Sequence, residues 1–383
     1  METHNLVLYS RSAVVSDWSC PRRRYWNYEY GGRGLTPDTT NLALFLGQSL
    51  HDGLAAIAHG LDIEDIAPTA VAQVREMLLT NSTSTEVDAE YFAAEQSTLV
   101  EGLLRGYAKH TWPILQRLYP EVVCVEKEMT FEHDGLTFMA KPDLIVRDEA
   151  GDLVYLEFKS TSSVKDQWIN SWTTAVQLHS SVRAVEATLG EKVGSVVIVG
   201  LNKGYVSYGK QNSPMCYGYF RSGNPPFNAD EWLYDYKAGY RKYPIWQRDG
   251  GAKRWIDEMP DHILASQFPM TPPIMLNDDL IDAFFKQRAT REHEIRYARN
   301  ILVNGYTEGE GGVTDGSPLT PEAKQELLDR AFPQNFEACS PSFGSSCSFK
   351  RLCHGQVDEP LSAGFQLRSS HHDLERRQHD GQK

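Results

Sequence analysis

The chain has 383 residues, 41% of them hydrophobic and 23% charged, with a formal net charge of −13 at pH 7. That length can bury a large core and hold more than one folding unit, while no apolar run approaches the roughly 20 residues that a membrane helix needs. So acidic a surface excludes nucleic-acid binding spread over the whole molecule, because affinity for a polyanion comes from neutralising phosphates, and any such contact must be local.

The start, Met1-Glu2-Thr3-His4-Asn5, lacks the basic and apolar stretches of a secretion signal, and we expect an intracellular protein whose thiols stay reduced. In the N-terminal segment, Cys20 is followed closely by Arg22, Arg23 and Arg24. Residues 41–60 read as an amphipathic helix with Leu46, Leu50, Leu54 and Ile57 along one stripe and Gly60 as its stop. His51 lies one turn beyond Gly47, where the missing side chain lets another backbone or a metal site come close. Residues 99–119 read as a helix bent at Pro113, and residues 120–132 open a sheet on which Glu126 could add a carboxylate to a metal site, although an exposed strand charge is the reading we favour.

The densest chemistry follows. Lys141-Pro142-Asp143-Leu144-Ile145-Val146 and Leu156-Glu157-Phe158-Lys159 are strand-like segments, and the stretch between them suits a hairpin closed over Gly151. With the turn centred near Ala150, Asp143 and Glu157 come out opposite each other. Period-two alternation puts Lys159 on the face of Glu157 and turns Phe158 away. Carboxylates this close repel unless a hard cation such as Mg2+ or Mn2+ neutralises them. A lysine beside them can activate water or stabilise charge on a phosphate.

Residues 167–188 read as a helix containing Gln177, and residues 193–201 as a buried strand. Residues 205–255 are rich in aromatics, among them Tyr217, Trp232, Tyr236, Tyr243, Trp246 and Trp255. Such side chains can stack on unpaired bases, but covering a core is the reading we favour. The stretch from Gly204 to Lys210 has phosphate-loop spacing, yet Gln211 stands where a hydroxyl residue would hold magnesium, so we read a hairpin there. Helices are expected over 278–304 and 320–331, and a disordered polar tail carrying His371 and His372 beyond Gly355. Cys124 and Cys216 read as buried thiols. Cys339, Cys347 and Cys353 stand in a polar loop region near the C-terminus.

Pro142-Asp143, a spacer and Glu157-Phe158-Lys159 resemble the signature of the PD-(D/E)XK nuclease superfamily. His51 after Gly47, Gln177, and one cysteine before the core with three after it resemble the RecB-type iron–sulfur branch, which includes AddB and the four-cysteine CRISPR-associated exonucleases. The resemblance implies an α/β fold, with a restriction-endonuclease-like core of a mixed sheet flanked by helices. The domains would be an N-terminal segment over 1–40, the core over 41–270 with the aromatic insertion 205–255, a helical iron–sulfur lobe over 271–356 and a tail over 357–383.

The implied activity is metal-dependent hydrolysis of DNA, by an exonuclease on single-stranded ends in preference to an endonuclease. The setting would be repair, recombination or phage replication in the cytoplasm (the host's, if phage-encoded), with a recombination or replication protein as candidate partner. His51, Asp143, Glu157 and the carbonyl of Phe158 would hold Mg2+ or Mn2+, Lys159 would activate water and Gln177 would position it. Cys20, Cys339, Cys347 and Cys353 would bind a [4Fe–4S] cluster, with zinc as the alternative. That staple would bring Arg22, Arg23, Arg24, Lys350 and Arg351 into one basic DNA-binding patch. The sequence departs from the branch twice: Ser181 stands where a tyrosine follows Gln177, and the seven residues between Cys339 and Cys347 are a longer gap than usual. The rival readings are a site- or structure-specific endonuclease and a non-catalytic DNA-binding or assembly subunit.

Overall fold

The computed structural model describes residues 8–38, 41–81, 85–162, 166–204, 206–208, 211–213, 215–220, 233–235, 240–304, 306–308, 314–339, 346–357 and 359–369. Strand β1 (Leu8–Ser10) runs into helix α1 (Arg11–Ser19), whose first turn is closed by Ser10 accepting from the Ala13 N–H. Three helices follow, α2 (Leu42–Ala58), α3 (Ile63–Thr80) and α4 (Glu86–Gly106). Asn41, Asp62 and Thr85 cap them through side-chain oxygens that satisfy otherwise orphaned N–H groups. The helix expected at 99–119 thus begins at Glu86. It passes through a five-residue π turn, Tyr107–Thr111, into Trp112–Leu118, so the irregularity immediately precedes Pro113.

The central sheet joins β2 (Glu121–Val125), β5 (Leu144–Arg147), β6 (Leu153–Thr161) and β7 (Val193–Asn202), in that order. β5 and β6 form the expected hairpin, with Leu144 opposite Leu156 and Arg147 opposite Leu153. Gly151 makes the turn at φ 89°, its N–H donating to the Asp148 carbonyl at 3.0 Å. β7 pairs with β6 in parallel over nearly its whole length.

A second sheet holds β3 (Met129–His133) and β4 (Leu136–Ala140), with β1 parallel to β4. The single run expected over 120–132 is therefore two strands in two sheets. The break falls at Glu126, whose φ of 48° ends the ladder.

Alternation along β5 and β6 feeds two cores. Leu144, Val146, Leu156 and Phe158 pack against Leu50, Leu54, Leu103 and Tyr107 of the helical layer. On the opposite face, Ile145 and Tyr155 meet Leu178, Val182 and Val185 of α5 (Val176–Leu189) and Ile281 and Phe285 of α6 (Asp278–Asn304). Burial of each such side chain is worth about 1.5–3 kcal/mol, and both layers hold the hairpin from either side.

α5 is shorter than expected. Asp166–Asn170 and the 3-10 turn Ser171–Thr174 come first, and extended Ala175 (ψ 119°) breaks the helix before Gln177. α6 has the expected bounds, and α7 (Pro321–Ala331) is capped by Thr320.

In the aromatic region, Val206–Tyr208 pairs with Gln211–Ser213 as a hairpin where the phosphate-loop spacing occurred. Tyr217, Tyr243 and Trp255 are buried in the way a core covering requires, whereas Trp232 and Tyr236 lie outside the described residues. Near the C-terminus, Phe365–Leu367 pairs with Leu35–Pro37, so residues 359–369 fold back onto the protein instead of starting the expected tail. His371 and His372 lie outside the described residues.

Candidate active site

Continuing the β5–β6 register one step beyond Leu144 and Leu156 sets Asp143 against Glu157, where the hairpin leaves the apolar core. Asp143 accepts the Phe158 N–H at 2.7 Å through one oxygen and lies 3.2 Å from His51 Nδ1 through the other. α2 delivers His51 to this spot because Leu50 and Leu54 fix the helix on the core. Among the described residues no backbone makes the close approach expected at Gly47, where a Cβ would meet open space.

Glu126 takes the less favoured of its two sequence readings, a carboxylate at the site. Its N–H donates to the Asp143 carbonyl at 2.9 Å, and its left-handed backbone turns the carboxylate inward, 3.5 Å from His51 Nδ1 and paired with Lys141. It is no exposed strand charge. His51, Glu126 and Asp143 offer ligand atoms that all lie within 4.8 Å of one another.

Glu157 is fully buried and lies outside that group of three, although the Asp143 charge reaches it. Its oxygens receive the Tyr155 hydroxyl and the Gln177 amide and pair with Lys159. The expected quartet is thus divided: His51 and Asp143 gather with Glu126, while Glu157 sits beside them in its own hydrogen-bond set. Of Phe158, it is the N–H that touches Asp143. The Tyr155 hydroxyl also lies 3.3 Å from Ser181 Oγ, so a phenol enters the site from β6 although α5 has serine where a tyrosine was expected. Its signal was available, since Tyr155 is two residues before Glu157 on one strand face.

Burial alone would lower the His51 pKa, but the Asp143 charge, with hydrogen bonds to Asp143 and Glu126, raises it from 6.5 to about 10. Glu157 is pushed up by burial and by the Asp143 charge. Burial opposes ionisation of Asp143 and of Glu126 too, yet His51 holds both below their ordinary values. A site that keeps a proton on histidine between two carboxylates is one whose cation place is taken by that proton. Hard oxygen donors with one imidazole suit Mg2+ or Mn2+, and Gln177 Oε1, buried with no hydrogen-bond partner among the described residues, is an acceptor left for a ligand or water.

Arg11 went unseen in the sequence. Ser10 lies opposite Met139 in the parallel β1–β4 pair, so the first residue of α1 emerges beside the start of the Lys141-Pro142-Asp143 segment. There its charge is felt by both Glu157 and Asp143.

The chain ends also meet. The Asn335 N–H donates to Cys20 Sγ at 3.4 Å, Asn335 Nδ2 reaches the Ser19 carbonyl, and the Cys347 N–H donates to the Cys339 carbonyl at 3.1 Å. Burial first, then the neighbouring sulfurs, raises the Cys339 and Cys353 thiols, Cys20 and Cys347 acting on both. Trp26 Nε1, which has no other hydrogen-bond partner among the described residues, is buried facing Cys353. Donors aimed at sulfur fit thiolate ligands. Among the described residues, no three of these thiols lie within 4.8 Å of one another, wider than the ~3.8 Å of a tetrahedral zinc–thiolate site. Of the other cysteines, Cys216 is buried as expected and Cys124 only half-buried.

The basic patch is corrected. Arg22 is 3% exposed, donating to the Phe332 carbonyl at 2.8 Å and pairing with Asp329. Arg24 is 2% exposed and held by Glu29 at 2.6 Å and Glu292 at 3.0 Å. Both are internal ties to the C-terminal helices and cannot face DNA. Arg23 and Arg351 are exposed, and Lys350 is half-buried.

An α/β core that gathers carboxylates, a histidine and a lysine at one edge of its sheet belongs to the class of metal-dependent hydrolases. Residues 10–354 match the family model of the PD-(D/E)XK nuclease superfamily, and the chain belongs to that superfamily. It is accordingly a metal-dependent nuclease that acts on DNA. A search of curated proteins finds no significant match. No helix among the described residues is long and apolar enough to cross a membrane.

Proposed function

We propose that the chain is an exonuclease of the RecB-type iron–sulfur branch, hydrolysing DNA from free, single-stranded ends in repair, recombination or phage replication, with a recombination or replication protein as partner. The observation that carries the reading is the gathering of His51, Glu126, Asp143, Glu157, Lys159 and Gln177 at one edge of the sheet.

Asp143, His51 and Glu126 would hold Mg2+ or Mn2+, with Glu157 beside them as a further carboxylate. Such a metal, when bound, would polarise the phosphate and lower the pKa of water. Lys159 is free to orient that water or meet the developing negative charge once Glu157 is otherwise engaged. Gln177 holds Glu157 through its amide N–H and offers Oε1 to the attacking water. Tyr155 keeps the Glu157 carboxyl on the face of the hairpin where the reaction takes place.

The four terminal cysteines would bind a [4Fe–4S] cluster that closes the loop between Cys20 and Cys339 and so supports the core. Residues 41–270 then act as the nuclease core and 271–356 as the lobe that the cluster ties to the N-terminus. End-labelled linear single- and double-stranded DNA, run beside covalently closed circles with Mg2+ or Mn2+, tests the activity. Nucleotide release from linear single strands with intact circles is the expected result. A ladder of internal cuts in the circles would instead make the chain an endonuclease on the same fold.

A further inference from the structure

Arg11 stands beside the catalytic carboxylates without holding either of them. It opens α1, which packs on α5, the helix bearing Gln177 and Ser181. Its strand ends beside β4, from which the chain runs directly into Lys141-Pro142-Asp143. Burial is the largest influence on its guanidinium and works against the charge, with Glu157 and Asp143 restoring part of it from a distance.

The other buried arginines of this region are tied by contact. Arg22 holds Asp329 and a carbonyl, Arg24 holds Glu29 and Glu292, and Arg288 holds Asp17 at 2.8 Å and Glu292. Among the described residues, Arg11 makes no ion pair within 4.0 Å. A half-buried cation that no carboxylate contacts still has donors to offer an anion brought by a ligand. The nearby carboxylates are not that anion, since Asp143 is bound to His51 and Phe158 and Glu157 to Tyr155, Gln177 and Lys159. What fits a planar fork of donors beside a metal site is a phosphate, whose oxygens accept two parallel N–H bonds.

We propose that Arg11 contacts substrate directly, its guanidinium binding the non-bridging oxygens of a DNA phosphate at the active site. The inference rests on the nuclease reading and adds to it the residue that meets the substrate's charge. The phosphate is either the one being cleaved or the terminal phosphate of the strand, and the two are separable. The competing role is a counter-charge that only positions Glu157 and Asp143.

The test uses the full-length protein and its Arg11→Gln and Arg11→Lys variants, in single-turnover cleavage with Mn2+ and in oligonucleotide binding by fluorescence anisotropy with EDTA. Arg11→Gln should slow cleavage about 10²-fold, the size of losing one charge-stabilising donor, and weaken metal-free binding. Arg11→Lys, which keeps charge but not the fork, should fall between. A neutral methylphosphonate at the cleaved position removes charge that the metal and Lys159 also meet, so it should slow both proteins, and the wild type by the larger factor if Arg11 contacts that phosphate. If it is to the terminal phosphate, the wild type alone should distinguish 5′-phosphate from 5′-hydroxyl ends. Wild type and Arg11→Gln losing the same factor to both changes would overturn the proposal. Should Arg11→Gln fail to fold by circular dichroism, the same comparison with Arg11→Lys decides. A wild type that neither cuts nor binds DNA would overturn the nuclease reading together with this one.

Discussion

Metal binding should release a proton, and the structure says from where. His51 sits between Asp143 and Glu126 with its pKa raised from 6.5 to about 10, so the metal-free imidazole is protonated throughout the neutral range. A cation ligated by this nitrogen must displace that proton. Between pH 7 and pH 9 the affinity for Mn2+ should therefore rise about tenfold per pH unit, close to 1.4 kcal/mol each. The slope should steepen below neutrality as Glu157, also raised, adds a second proton.

The same proton stabilises the protein without metal. This contribution is present in full below the ordinary imidazole value and is lost as the pH climbs through about 10. Calorimetric titration of Mn2+ at pH 7, 8 and 9, repeated in buffers of different ionisation enthalpy, counts the proton directly. His51→Asn should weaken binding and flatten the slope. Equal affinities at pH 7 and pH 9 with no proton released would refute the assignment of His51 as a ligand.

Tyr155→Phe removes the hydroxyl shared by Glu157 and Ser181. It should lower stability by about 1–2 kcal/mol in denaturant unfolding and shift the acid limb of the activity profile to higher pH, because Glu157 loses a donor to its charged form. Arg24→Met strands Glu29 and Glu292 in the interior and should cost about 3–5 kcal/mol; a folded variant with selectively weaker DNA binding would contradict the internal role. Anaerobically purified protein should be brown from thiolate-to-iron charge transfer, and replacing Cys20, Cys339, Cys347 or Cys353 by serine should bleach that colour and lower the iron content, whereas Cys216→Ser should change neither. Stoichiometric zinc in colourless wild-type protein would rule out the cluster.

What was legible in the sequence is what local rules determine. The hairpin register follows from alternation and a turn glycine, which by themselves put Asp143, Glu157 and Lys159 on one face. The bounds of α6 and the Thr320 cap of α7 were equally local, being written in periodicity and capping chemistry.

The misses share a different cause. Glu126 enters the site only because a left-handed residue ends β2 and hands the chain to a second sheet. Arg11 arrives through a parallel pairing between β1 and β4, and parallel partners leave no turn between them to read. Arg22 and Arg24 looked like a DNA patch because their acidic partners, Asp329 and Glu292, lie hundreds of residues away in the chain. The division of the metal residues between two hydrogen-bond sets was illegible for a similar reason. Spacing fixes which side chains share a face, but the Tyr155 and Gln177 donors decide where Glu157 points.

The most direct measurement compares release of acid-soluble nucleotides from linear DNA by wild type, Asp143→Asn, Glu157→Gln and Lys159→Ala, with Mn2+, with Mg2+ and with EDTA. Metal-dependent hydrolysis should appear in the wild type alone. Each variant should lose it almost completely while unfolding cooperatively, and a double variant should be no worse than a single one, since the groups act as a unit. Hydrolysis that persists undiminished in Asp143→Asn, or that ignores EDTA, would contradict the site described here.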